Sequence, residues 1–289
     1  MKHLKLILGI FAVLGILFST GCKDLDDVND QKGNLVIKLT DAPFPVAMID
    51  AATVFISKVE IRKACECEEE GSPFMVLAEF DPPEEFNLLE LRNGVTADLV
   101  ETEIEPGDYD LIRLYVDHAG LQVKDGEDFL LKVPSGAQTG IKIFLEPALQ
   151  VVGGLSTDVL LDVNVDSSFI LKGNLNSPAG IKGFNFKPVI RAVNNTTAGS
   201  VAGVVTNSDT AIHNASVWIE QEEVITTAYT DEEGYYAIPG MPAGLYTLSA
   251  TMEGFNTVIV EGLEVVAGNR TVQDFTLTPL EEEEEEEEE

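Results

Sequence analysis

The sequence of 289 residues predicts an all-β protein made of two β-sandwich domains in tandem. Three observations lead there. Apolar residues recur at period two in Leu35, Ile37 and Leu39, in Ile112, Leu114 and Val116, and in Val159, Leu161, Val163 and Val165. That period marks strands burying one face. Turn-forming pairs and triplets fall between the apolar runs: Asn93-Gly94, Pro106-Gly107-Asp108, Lys124-Asp125-Gly126, Pro134-Ser135-Gly136 and Gly153-Gly154. Finally, a polar break beginning at Asn194-Asn195, with its linker at 195–198, divides a first strand series at 33–194 from a second at 199–280.

In chain order, residues 1–21 read as an export signal. Met1-Lys2-His3-Leu4-Lys5 is basic, and the apolar run Leu6 to Phe18 is shorter than the about 20 residues a helix needs to cross a bilayer. Ser19-Thr20-Gly21-Cys22 then has the layout of a bacterial lipoprotein signal. On that reading Cys22 becomes the N-terminus and carries the lipid that anchors the chain to a membrane. An ordinary secretory signal with an incidental Cys22 is the competing reading, and Ser19, where Leu is commoner, departs from the pattern. Residues 22–32 form an acidic tether. Its start, Cys22-Lys23-Asp24-Leu25-Asp26-Asp27, resembles the signals that carry lipoproteins of the Bacteroidota to the outer face of the outer membrane. The resemblance implies a lipid-anchored protein at the cell surface, with a periplasm-facing position as the alternative; a solvated spacer accounts for the same acids.

Without residues 1–21 the chain holds 16 basic against 50 acidic residues, a net charge of −34. This disfavours nucleic acid, whose binding needs Lys and Arg clusters, and anionic headgroups repel such a chain. The run Glu281 to Glu289 is a low-complexity tail, 281–289, expected to be disordered. Cys65 and Cys67 form a C-x-C pair with His118 and His213 as the remaining soft ligands, short of a four-ligand zinc set. A local disulfide and a pair of free thiols both fit. Neither a metal nor a cofactor is expected.

Within 33–194, the stretch Phe86 to Leu91 fits a short helix as well as a strand. The motifs Leu39-Thr40-Asp41-Ala42-Pro43, Pro106-Gly107-Asp108-Tyr109, Val133-Pro134-Ser135-Gly136, Gly140-Ile141-Lys142 and Lys187-Pro188-Val189-Ile190-Arg191 follow in order. Together they resemble domain of unknown function 4382, a module of bacterial lipoproteins, and the resemblance implies a lipid-anchored β domain without established chemistry.

Within 199–280, Asn214-Ala215-Ser216-Val217-Trp218-Ile219-Glu220 reads as a strand with Ala215, Val217 and Ile219 inward and Trp218 outward. The acidic turn Thr230-Asp231-Glu232-Glu233-Gly234 leads into Tyr235-Tyr236-Ala237-Ile238, with Gly234 taking a positive φ. With Gly240-Met241-Pro242-Ala243-Gly244, Gly254-Phe255 and Asp274-Phe275-Thr276-Leu277, these motifs resemble the carboxypeptidase regulatory-like domain. The resemblance implies a transthyretin-like (prealbumin-like) seven-stranded sandwich that serves as an accessory module and supplies no catalytic residue.

Three constellations are candidates for chemistry. Asp162-Val163-Asn164-Val165-Asp166 has the opening spacing of a calcium loop, but Ser167 and Gly173 stand where that loop needs Gly and Glu. The alternation instead places Asp162, Asn164 and Asp166 on a solvated strand face. Trp218, facing outward, with Tyr235 and Tyr229 on the outer face of the next hairpin, offers aromatic surface for a sugar ring, against the commoner outcome of an aromatic covered by its neighbours. His118, at a strand end, and His213, in a loop, lack a nucleophile motif nearby. The sequence therefore predicts a non-enzymatic cell-envelope lipoprotein that presents β-sandwich binding or scaffolding modules at the outer membrane surface to glycans or envelope proteins. The alternative is a carbohydrate-binding accessory lipoprotein in glycan capture.

Overall fold

The structure, a computed structural model, describes residues 31–42, 49–64, 73–133, 136–173 and 180–280. The export signal, Cys22, Cys65, Cys67 and the Glu281 to Glu289 run lie outside the described residues.

The first unit contains β1 (Gly33–Ala42), β2 (Ile49–Lys63), β3 (Phe74–Asn87), β4 (Ala97–Ile104), β5 (Gly107–Val123), β6 (Asp128–Lys132), β7 (Ile141–Val151), β8 (Ser156–Asn164), β9 (Phe169–Gly173), β10 (Ile181–Phe186) and β11 (Ile190–Asn194). Two one-turn helices, α1 (Gly136–Thr139) and α2 (Val165–Ser168), join them. One sheet runs β11-β8-β1-β4, with β1 and β8 parallel. The other runs β3-β2-β5-β6, with β7 also on β5, while β9 and β10 form a hairpin. The alternating residues meet between the sheets: Leu35, Ile37 and Leu39 of β1, Ile112, Leu114 and Val116 of β5, and Val159 and Leu161 of β8 share one buried core. Each such side chain contributes roughly 1.5–3 kcal/mol by leaving water.

Three local expectations change. The Phe86 to Leu91 stretch is strand as far as Asn87, followed by a single 3-10 turn, Leu88–Glu90, that buries both leucines; Asn87 Oδ1 accepts the Leu89 N–H at 3.3 Å. The alternation from Val159 does not carry through to Asp166. Asn164 Oδ1 accepts the Ser167 N–H at 2.8 Å, which caps α2 and ends β8. His118 lies well inside β5, where it stacks on Phe55 with ring centroids 3.9 Å apart, because β5 runs unbroken to Val123.

The second unit contains β12 (Gly199–Asn207), β13 (Thr210–Ala211), β14 (Ser216–Glu220), β15 (Val224–Tyr229), β16 (Tyr235–Met241), β17 (Gly244–Thr251), β18 (Val258–Val265), β19 (Arg270–Val272) and β20 (Phe275–Thr276). The sheet β15-β14-β17-β18 faces a sheet centred on β12, which pairs with β16 and β13 and, in parallel, with β19 and β20. Val201, Val217, Ile219, Tyr236, Ile238 and Leu248 fill the space between them. At the hairpin before β16, Gly234 has φ 75°, and Asp231 Oδ1 accepts the N–H groups of Glu233 and Tyr235 at 3.1 and 2.8 Å. The acidic turn is thus closed by its own side chain. The fold is all-β, with two sandwiches in tandem.

Candidate functional site

Trp218 occupies the middle of β14, opposite Thr227 of β15 and Ser249 of β17. It is half-buried, its indole N–H donates to Glu220 Oε2 at 3.2 Å, and Ser249 beside it is buried. Tyr235 begins β16 in the opposite sheet, so the structure does not bring the two aromatics together. Tyr229 ends β15, half-buried. Burial pushes its phenol up, the Asp166 carboxylate of the first unit adds to this, and a hydrogen bond with Ser216 partly offsets it.

The expectation for Asp162 is overturned. This carboxylate is 6% exposed, because β8 is an inner strand whose outer face is covered by the second unit. Arg191, directly across on β11, binds Asp162 Oδ2 through Nη2 at 2.8 Å and Nε at 3.3 Å. Its Nη1 donates to the Gly240 carbonyl of β16 at 3.2 Å, so one guanidinium links both sandwiches. Gly240 has φ 66° and comes so close that a Cβ would lie 2.9 Å from Leu160 Cδ2. The positive φ favours glycine there, and a side chain would in addition have to displace the Leu160 methyl.

A second tie comes from the Asn93-Gly94 turn. Thr40 of β1 places its hydroxyl 3.0 Å from the Leu91 carbonyl and 3.1 Å from that of Val95, holding the loop against the end of β1. From that loop the Asn93 Nδ2 donates to the Tyr235 carbonyl at 3.5 Å. The linker between the units is itself closed, with the Asn195 N–H on the Asp158 carbonyl at 2.8 Å and the Ala198 N–H on that of Asn194 at 3.1 Å.

Beside this junction opens a cleft of about 700 Å³, walled by Pro147, Leu149, Arg191 and Val193 of the first unit and by Ile225 and Tyr246 of the second. Its lining is mainly aliphatic, with the Tyr246 phenol and a single carboxylate, Glu146, and the Arg191 cation is already held by Asp162. Such a surface suits an apolar or aromatic contact better than acid/base chemistry. His118 Nδ1 lies 2.9 Å from Asp117 Oδ2 on β5, away from the cleft residues. Among the described residues, no group of three or more His, Cys, Asp or Glu side chains gathers as a metal set, and no helix is long and apolar enough to cross a membrane. Sequence reasoning missed Arg191, Asn93 and Gly240 as junction residues. The available signals were a cation on a short alternating strand and glycine or Asn-Gly at turns, each of which also fits a solvent-facing role.

Fold and junction define a tandem β-sandwich protein whose two units are linked through the half-buried Arg191 guanidinium. Residues 32–188 match the family described as domain of unknown function DUF4382, and the chain belongs to that family. Residues 200–278 match the carboxypeptidase regulatory-like domain. No curated protein matches. Among solved structures, the Bacillus anthracis TIE protein is 14% identical, with 86% of this chain covering 34% of that one at TM-score 0.25. The chain thus spans about a third of that protein's length. The minor pilin GBS52 of Streptococcus agalactiae is 8% identical over 86% of this chain and 97% of that one, at TM-score 0.24. The shaft pilin SpaA of Lactobacillus rhamnosus GG is 11% identical over 86% and 98%, at TM-score 0.26. Overlaps this low carry no argument about function.

Proposed function

We propose that this protein is a non-enzymatic cell-envelope lipoprotein that presents two β-sandwiches as one scaffolding or binding body, anchored through Cys22 at the outer membrane and facing the cell surface. The observation that carries this reading is the junction. Arg191 binds both Asp162 and the Gly240 carbonyl, so the two units are held at a set angle, as a presenting surface requires. The acidic sequence after Cys22 supports display away from anionic lipid.

A second reading, glycan capture, is favoured by Trp218. Its half-exposed ring lies among Thr227, Ser249 and Glu220, an aromatic face with polar groups at its edge, which suits a pyranose ring.

The experiment has two arms. In cells, surface proteolysis and membrane fractionation compare the wild type with Cys22→Ser; a wild-type chain that is membrane-bound and cleaved from outside, and a variant that leaves the membrane, support surface anchoring. A wild-type chain found in the soluble fraction refutes it. In solution, the chain is tested against a panel of polysaccharides. Saturable binding lost in Trp218→Ala moves the protein to glycan capture, and no binding across the panel leaves the scaffold reading in place.

A further inference from the structure

The junction encloses a cavity of about 10 Å³, lined by Asp41, Asn93 and Asp162 of the first sandwich and by Thr226, Ala237 and Pro239 of the second. That is space for a single small occupant. Asp41 is 6% exposed, and neither of its carboxylate oxygens has a hydrogen-bond partner; the same is true of the buried Asn93 Oδ1. Buried polar atoms without partners are uncommon and call for a cause. The amide of Asn93 is not free to turn over: Nδ2 faces the Tyr235 carbonyl, which accepts only, so the oxygen is the atom left over.

Charge points the same way. Asp162 is the second carboxylate in the wall, and Arg191 engages its Oδ2 with both nitrogens, leaving Oδ1 outside that pair.

The three orphaned atoms, both Asp41 oxygens and Asn93 Oδ1, are all acceptors. A proton on Asp41 supplies one donor and a water supplies two, whereas a cation faces every oxygen at once and offsets the carboxylate charge that Arg191 does not meet. We propose that this cavity is a calcium site, ligated by side-chain oxygens of Asp41, Asn93 and Asp162, that fastens the two sandwiches together. Thr226 adds a hydroxyl to the same wall. Calcium suits the site better than magnesium, because calcium accepts an irregular set of oxygen ligands, whereas magnesium demands a near-ideal octahedron and gives up its waters reluctantly. The site does not follow the D-x-N-x-D loop spacing. Asp162 comes from that motif, while Asp41 and Asn93 arrive from β1 and the Asn93-Gly94 turn.

The test uses the full mature chain carrying Cys22→Ser, stripped with chelator, in calorimetric titration with calcium chloride and in thermal unfolding with chelator or with calcium near neutral pH. Any calcium taken up by the terminal glutamates is common to every variant and cancels in the comparison. The expected result is one tight site, a midpoint raised by calcium, and a loss of affinity of about tenfold or more in Asp41→Asn. Asn93→Asp, which adds a carboxylate, should lower the midpoint in chelator and enlarge the calcium response. An equal calcium response in wild type and Asp41→Asn overturns the proposal, as does a wild type unmoved by calcium while Asp41→Asn is stabilised in chelator, since a proton or a water would then satisfy Asp41. Should Asp41→Asn fail to fold, Asn93→Asp decides: a calcium response larger than wild type supports the site, and an equal one overturns it.

Discussion

Arg191 and Asp162 face each other across β11 and β8, Nη2 to Oδ2 at 2.8 Å, at the one place where the same guanidinium also reaches the Gly240 carbonyl of the second sandwich. Removing the cation strands a carboxylate that is almost wholly covered. Breaking a fully buried pair from one side costs about 3–5 kcal/mol, and with the Arg191 side chain 27% exposed the loss here should fall below that. Arg191→Ala should therefore lower the urea midpoint strongly and separate the unfolding of the two units into two transitions. Arg191→Lys keeps the charge but loses the fork and should fall between. Equilibrium unfolding followed by Trp218 fluorescence, which reports the second unit, and by far-UV circular dichroism, which reports both, reads the separation directly; coincident transitions in Arg191→Ala would count against the coupling.

Both sandwiches use one tyrosine device. In Pro106-Gly107-Asp108-Tyr109 the Tyr109 hydroxyl donates to the Glu105 carbonyl at 2.7 Å, and in Pro242-Ala243-Gly244-Leu245-Tyr246 the Tyr246 hydroxyl donates to the Pro242 carbonyl at 2.9 Å. Each closes a Pro-Gly turn four residues back and buries its ring at the start of a long strand. Tyr109→Phe and Tyr246→Phe should each cost about 1 kcal/mol, the net worth of one hydrogen bond. The rings sit in different cores, so the double variant should show the sum. Chemical denaturation of the four proteins checks both statements.

The strand pattern was legible wherever one side of a strand meets core, as in β1, where Leu35, Ile37 and Leu39 are buried between the half-exposed Val36 and Lys38. It misled on β8. Period two says which residues face the core of their own sandwich, and it carries no information about a second domain docking on the other face. Asp162 consequently reads as a surface acid although Arg191 and the second unit cover it. The α2 turn was hidden for a related reason: Val165 keeps the apolar beat while Asn164, as a cap, ends the strand. Trp218 and Tyr235 were placed on outer faces by the same alternation, but which outer face depends on sheet order, which spacing along the chain does not encode.

Two glycines should respond in opposite order to what their backbone angles suggest. Gly254 has φ 83° with open space where a Cβ would stand, so Gly254→Ala meets only the left-handed backbone penalty, about 1–2 kcal/mol. Gly203 lacks a positive φ, yet a Cβ there would lie 1.9 Å from the Gln273 carbonyl oxygen, where the chain joins β19 to β20 alongside β12. Backbone has little room to give, and Gly203→Ala should cost about 3 kcal/mol or more. Thermal unfolding of the two variants tests the order; equal losses would mean that the close approach relaxes easily.

Asp41 and Glu60 should give stability profiles of opposite slope. Burial pushes the Glu60 carboxyl up, but Lys58 Nζ at 2.7 Å and the Tyr115 hydroxyl at 2.8 Å outweigh it, with Arg113 adding to them, and the group titrates below its usual value. A carboxyl lowered on folding adds stability above its unfolded value of about 4 and loses it as pH falls through the folded one. Asp41 is raised on folding by burial and by Asp162, with Arg92 opposing, and the second unit brings only Thr226, Thr227, Ala228, Ala237, Ile238 and Pro239 to that cavity, none of which titrates as an acid or base there. Its contribution is complete below about pH 4 and is lost as pH rises through the raised folded value. In chelator, urea unfolding across a pH series should therefore show Glu60→Gln weakening the protein at neutral pH and less so in acid, and Asp41→Asn removing a fall in stability that sets in as pH rises above about 4. Calcium, by favouring the ionised Asp41, should remove the same fall from the wild type. A wild-type profile parallel to that of Asp41→Asn in chelator would mean that Asp41 is not held out of water as the structure places it.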